Sequence, residues 1–304
     1  PLLADDTVND ILVNGAKQGH KGLLSQPWYL DHSYSAGKMF AADPIPANLD
    51  LTPDQTKLIL GGEACMWAEQ ITDTTIDAKI WPRAAAVAER LWSPRDDRDT
   101  DDLYRRLHVQ SLRLDALGLD HLSGPQRGLR AIAGARSIPA LDVFASTVQP
   151  VDFGVRSRIQ HNTRYTPMTR FVDAVRFDPP ITQEFAKLVD DYLARATPAD
   201  HAVPRQRLDA LFRAWITTGP ALDQLAAERP QVAAVALRRH QLVQLGQLGL
   251  ALQAAREDGK ALNAAKREEA NQLLRDAAKV DDELLDFIVL SPLRKLNDAV
   301  ATPR

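Results

Sequence analysis

Two short apolar runs, Gly22-Leu23-Leu24 and Leu58-Ile59-Leu60-Gly61-Gly62, each lead within a few residues to an aromatic and an acid spaced two apart. These are Tyr29 and Asp31 after the first run, and Trp67 and Glu69 after the second. Such runs read as buried strands. Helical spacing over residues 7–21 precedes the first run, and the Pro-rich stretch AADPIPANLDLTP over residues 41–53 separates the two as a loop. Trp81-Pro82-Arg83, followed by AAAVAERLW, opens a helix with proline in its first turn. The order helix, strand, loop, strand, helix predicts an α/β domain. A further helix over residues 99–118 starts in acids and closes at Gly118.

In a strand, residues two apart face one side, so Tyr29 pairs with Asp31 and Trp67 with Glu69, while Trp28 and Leu30 point the other way and pack. If the strands are parallel neighbours, the four side chains gather beyond the carboxyl end of the sheet, where α/β folds place ligands. An indole face flanked by carboxylates suits a sugar, because the ring packs on pyranose C–H groups and the carboxylates accept from hydroxyls. The same spacing also fits a core Trp67 and a surface Glu69.

Three segments follow from the patterning: residues 1–120, an irregular connection over 121–180 with short alternations such as Ala140 to Phe144, and a helical region over 181–304. The last carries about five helices with apolar residues at three- and four-residue spacing, joined by Pro or Gly breaks. The formal net charge of −3 disfavours nucleic acid and anionic membranes as partners, and no apolar run is long enough to span a bilayer. The single cysteine, Cys65, excludes an intrachain disulfide and reads as an inert buried residue. No histidine pair stands at metal spacing, so His20 and His32 are expected in loops or facing solvent, and no metal site is expected. Arg83 and Glu89 are expected to make structural hydrogen bonds, Trp81 and Trp92 to pack, Arg238-Arg239-His240 to form a solvated face, and Tyr34 to lie near the pocket rim. Gly61-Gly62 is too short for a phosphate loop and fits close backbone packing. The opening Pro1-Leu2-Leu3 lacks methionine, so the chain is expected to continue upstream.

The stretch ILGGEACMWAEQITDTTIDAKIWPRAAAVAERLWSP, residues 59–94, resembles the last barrel strand and following helix of the family 20 β-N-acetylhexosaminidases, and PWYLDHSY resembles that family's Y-L-D strand end. The resemblance covers residues 7 to about 118. It implies that residues 1–120 are the last strands and helices of a (β/α)8 TIM barrel, incomplete in this chain, followed by a mostly α-helical C-terminal region. It further implies retaining hydrolysis of terminal N-acetylglucosamine or N-acetylgalactosamine, with the substrate's own acetamido oxygen as nucleophile and no cofactor. By motif, Tyr29 would donate to that oxygen, Asp31 and Glu69 would bind sugar hydroxyls, and Trp67 would wall the sugar. N-acetylhexosamine-containing oligosaccharides or glycoconjugates would be the partners, and a periplasmic or secreted setting is implied.

One part of the pattern is missing. The family's general acid is a Glu after an Asp in an H-x-G-G-D-E segment, and Asp282-Glu283, the only Asp-Glu pair here, lies in DDELL, where acids at a helix start are ordinary. The chain is therefore expected to be inactive alone, with the rest of the barrel upstream or in another chain. The alternative expectation is a non-catalytic sugar-binding or helical interaction module.

Overall fold

The computed structural model describes residues 6–45, 49–194 and 198–301. The opening at residues 1–5, residues 46–48 of the expected 41–53 loop, and residues 195–197 and 302–304 of the expected helical region lie outside that range. The chain divides into two compact units, Pro1–Gly124 with Asp152–Gly154, and Pro125–Val151 with Val155–Arg304.

The first unit runs α1 (Asp6–Lys17), β1 (Gly22–Leu24), a 3-10 turn (Gln26–Trp28), α2 (Ala36–Ala41), α3 (Pro53–Thr56), β2 (Ile59–Gly62), α4 (Ile76–Ile80), α5 (Arg83–Trp92) and α6 (Thr100–Ala116). β1 and β2 are parallel, with Gly22 opposite Ile59 and Leu24 opposite Gly62, and a further parallel bridge joins Tyr29 to Cys65. Leu24 and Ile59 are buried, whereas Leu23 and Leu60 are 50% and 58% exposed. One apolar face of the pair is therefore uncovered by the described residues. The two glycines ending β2 do different things. Gly61 has φ +125°, open only to a residue without Cβ, and Gly62 lies against the indole of Trp28. Trp28 is buried with Leu24, Leu30, Met39 and Val87, and its Nε1 donates to the Met39 carbonyl at 2.9 Å.

Capping agrees with the pattern of acids in α6: the Asp99 side chain accepts from the Asp102 amide, and Gly118 takes φ +91° after the helix. Pro82 sits at the N-cap of α5 rather than inside its first turn. Trp92, expected to pack, is 93% exposed. It lies at the end of α5, one turn beyond Glu89, whose carboxylate turns instead to Arg106 of α6.

The second unit takes in most of α7 (Ser123–Ala133), then α8 (Pro139–Ser146), β3 (Val148–Pro150), most of α9 (Phe153–Ile159), a 3-10 turn (Phe171–Ala174), α10 (Ile181–Ala194), α11 (Pro198–Ala226), α12 (Pro230–Ala233), α13 (Ala236–Glu257), α14 (Ala264–Asp276), β4 (Leu285–Phe287) and α15 (Leu290–Ala301). The connection over 121–180, expected to be irregular, holds α7, α8 and α9; residues 140–144, with their short alternation, are helical in α8, because Leu141 and Phe144, three apart, both enter the core. In DDELLDFIVL the reverse holds. Leu285 and Phe287 alternate inward and pair antiparallel with β3, so a strand interrupts the expected helix. Pro204 and Pro220 lie inside α11 instead of ending it. Each costs about 3 kcal/mol, offset by the buried stripe Leu208, Phe212, Trp215 and Leu222 at about 1.5–3 kcal/mol per side chain.

Arg238 and Arg239, expected on a solvated face, are buried. The Arg238 guanidinium donates to the Ala277 and Lys279 carbonyls and lies 3.2 Å from Asp281, while Arg239 pairs with Asp223 at 2.6 Å. The sequence pattern missed this because the Arg238 acceptors come from about forty residues downstream and the Arg239 acceptor from a different helix, α11. No described helix is long and apolar enough to cross a membrane.

Candidate functional site

The site is built where the chain leaves β1 and β2. The path beyond β1 is broken by the 3-10 turn, so Tyr29 is held by its bridge to Cys65 and Asp31 lies in the turn that follows. The Leu30 amide donates to the Cys65 carbonyl at 2.7 Å and the Cys65 amide to the Trp28 carbonyl at 3.0 Å, tying the two exits together. As expected, Trp28 and Leu30 are core.

Asp31 is 6% exposed, and its two oxygens accept from the Trp67 and Ala68 amides at 2.8 and 2.9 Å. Ala68 has φ +65°, a left-handed conformation costing about 1–2 kcal/mol for a residue with a Cβ. The carboxylate thus holds a strained turn, and the turn interrupts simple alternation between Trp67 and Glu69. Both are nevertheless presented outward: Trp67 is 68% exposed, and Glu69 is exposed with no hydrogen bond or ion pair among the described residues. Half-buried Tyr29 has no partner for its hydroxyl among the described residues. Asp31 and Trp67 are therefore joined through backbone, Tyr29 sits beside them, and Glu69 follows in the same loop.

A structural consequence can be measured at Asp31. Asp31→Asn replaces one acceptor oxygen by an amide donor facing a backbone N–H, which costs about 1–3 kcal/mol. Urea denaturation should show that loss, and an unchanged midpoint would remove the carboxylate's role in the turn.

Arg83, at the start of α5, fixes the other side of the first loop. Its buried guanidinium donates to the carbonyls of Leu30 at 2.6 Å, His32 at 2.7 Å, Tyr34 at 2.9 Å and Lys79 at 2.5 Å. That is the structural hydrogen bonding expected of it. Cys65 is half-buried, and burial, with the charge of Glu63, pushes its thiol up, which suits an inert role.

His32 lies in a loop, as expected, but does not face solvent. Its ring is largely buried, stacks on Tyr34 at 4.7 Å, meets Phe153 edge-on at 4.9 Å, and places Nδ1 2.6 Å from Asp152 Oδ2. A partner 120 positions away leaves no local signal at residue 32. Tyr34 is half-buried beside it, and burial, then the charge of Asp152, raises its hydroxyl. Among the described residues no group of three or more His, Cys, Asp or Glu could hold a metal ion.

Residues 5–95 match the model of the glycosyl hydrolase family 20 catalytic domain. The chain is 39% identical over 104 residues to the β-hexosaminidase subunit β of Rattus norvegicus, covering 33% of this chain and 19% of that protein. It is 40% identical over 104 residues to the β-hexosaminidase subunit β of Homo sapiens, covering 33% of this chain and 18% of that protein. The match thus spans less than a fifth of the length of these curated relatives. A solved chitobiase of Flavobacterium johnsoniae superposes with a TM-score of 0.83 at 30% identity, over 95% of this chain and 43% of that one. At that coverage the likeness extends into the helical region beyond residue 125, well past the family match.

Proposed function

Taking the chain as a family 20, hexosaminidase-like protein, we propose that it supplies the sugar-binding end of a β-N-acetylhexosaminidase. The enzyme would release terminal N-acetylglucosamine or N-acetylgalactosamine with retention. The observation carrying this reading is the set of groups beyond the parallel pair with no hydrogen-bond partner among the described residues: the Tyr29 hydroxyl, the Trp67 indole and the Glu69 carboxylate, on loops joined by Asp31. Tyr29 donates its hydroxyl to the acetamido oxygen and holds it for attack on the anomeric carbon. Glu69 accepts from sugar hydroxyls. Asp31 does so with the lone pairs its backbone bonds leave over, and Trp67 covers the apolar face of the ring.

The proton donor to the leaving oxygen comes from outside these residues. Burial raises the Glu283 carboxyl, as a general acid requires, but its oxygens accept from the Leu237 and Arg238 amides at 2.7 and 2.9 Å and cap α13. Glu283 is thus a helix cap in the second unit. The exposed Leu23 and Leu60 face of β1 and β2 supports the same view, since further strands of a (β/α)8 barrel, upstream or in another chain, would cover it.

The test has two arms. Purified alone, the 304-residue chain should release no p-nitrophenol from the β-N-acetylglucosaminide, and turnover would sink the missing-acid claim. In the full-length protein, Trp67→Ala should raise KM about tenfold, equivalent to about 1.4 kcal/mol of lost stacking, with Tm unchanged because the indole is exposed. Unaltered KM would remove Trp67 from the pocket, and a full-length protein that binds sugars without hydrolysing them would favour a non-catalytic module.

A further inference from the structure

Asp152–Gly154 is the stretch from beyond residue 125 that belongs to the first compact unit, and its groups reach both loops that carry the proposed sugar contacts. On the first loop, Asp152 Oδ2 accepts from His32 Nδ1 at 2.6 Å and from the Ser33 amide at 3.3 Å, and the Phe153 ring meets the His32 ring edge-on. On the second, Gln70 Nε2 donates to the Phe153 carbonyl at 3.2 Å. The Gly154 amide closes the turn onto Asp152 Oδ1 at 3.1 Å. Burial pushes the Asp152 carboxyl up, but the bond and charge of His32 and the Gly154 and Ser33 amides outweigh it and hold the group below the usual carboxylate range. It is therefore ionised near neutrality and can only accept, so His32 Nδ1 carries the proton.

We infer that Asp152–Gly154 is a clamp that fixes the loops 30–34 and 67–70 relative to each other, making Asp152 a positioning residue for sugar binding. Arg83 already holds the carbonyls of the first loop and Asp31 the amides of the second. Asp31 thereby joins the first loop to residues 67 and 68, and Asp152 and Phe153 add a second tie, through adjacent residues of one short segment, from His32 and Ser33 to Gln70. The inference rests on the sugar-binding reading for its consequence, although the clamp itself can be measured without it.

The experiment compares Asp152→Ala and Asp152→Asn in the full-length protein. Asn keeps one acceptor oxygen and guards against a failure of Ala to fold. Hydrogen exchange is followed at the Trp67 and Ala68 amides, whose acceptor is Asp31 and not Asp152. Exchange there should quicken about tenfold while α13 is unchanged, which marks local opening; unaltered exchange at Trp67 and Ala68 overturns the clamp. In the same variants KM for the p-nitrophenyl β-N-acetylglucosaminide should rise about tenfold with kcat within about twofold, the pattern of lost uniform binding. Faster exchange with KM unmoved overturns the positioning role. A wild-type protein that hydrolyses no hexosaminide would instead defeat the functional reading, and the exchange result would still decide the clamp.

Discussion

Gly62→Ala should destabilise the protein by about 3 kcal/mol, the upper end of ordinary overpacking costs. A Cβ at residue 62 would fall 1.9 Å from a ring carbon of Trp28 and 2.7 Å from the Leu24 carbonyl oxygen. Neither neighbour can yield cheaply. Trp28 is fully buried with its Nε1 bonded to Met39, and the Leu24 carbonyl belongs to β1 and accepts from the Glu63 amide. The strain would reach the site directly, since the Trp28 carbonyl accepts from the Cys65 amide between the two exits. Gly61→Ala is a useful comparison, because it meets no neighbour within 4 Å and its cost is conformational, from φ +125°. Urea denaturation of both variants checks the argument. A Gly62→Ala protein as stable as wild type would mean that Trp28 is not seated against β2.

Arg83→Met should cost at least about 3 kcal/mol, because each buried carbonyl left without its donor costs about 1–3 kcal/mol and Arg83 serves four. Methionine fills much of the volume and removes the donors, which separates hydrogen bonding from packing. Arg83→Lys should recover only part of the loss. An ammonium has three donors without the planar fork that reaches Leu30, His32 and Tyr34 together. Because those carbonyls bracket Asp31, stability should fall, in contrast to Trp67→Ala. Retention of the wild-type denaturation midpoint by Arg83→Met would show that the loop is held by other contacts.

The strands, the long helices and the aromatic-acid spacing were readable along the chain because each rests on neighbours within a few residues. Gly22 to Leu24 and Ile59 to Gly62 are apolar runs between breakers, and α6 announces itself by Asp99 and Gly118. Trp28 and Leu30 could be assigned to packing, and Tyr29 and Asp31 singled out, from the same local order. Where local order misled, a distant partner had decided the outcome. Leu285 to Phe287 is a strand because β3 lies beside it, and α11 runs through two prolines because its apolar stripe is buried.

The polar groups divide in the same way. Sequence spacing singled out Asp31 and Trp67, but only folding could turn the Asp31 carboxylate onto the amides of residues 67 and 68 and set Ala68 in a left-handed turn. It likewise took tertiary structure to bury Arg238 among carbonyls some forty residues later and to seat His32 against Asp152. A side chain's type and its near neighbours are properties of the chain; its burial and its hydrogen-bond partner depend on which distant backbone is delivered to it. Residue order therefore determined the two short strands and the residue types at their ends, and three-dimensional packing decided which of those polar groups hold the loops and which have no hydrogen-bond partner among the described residues.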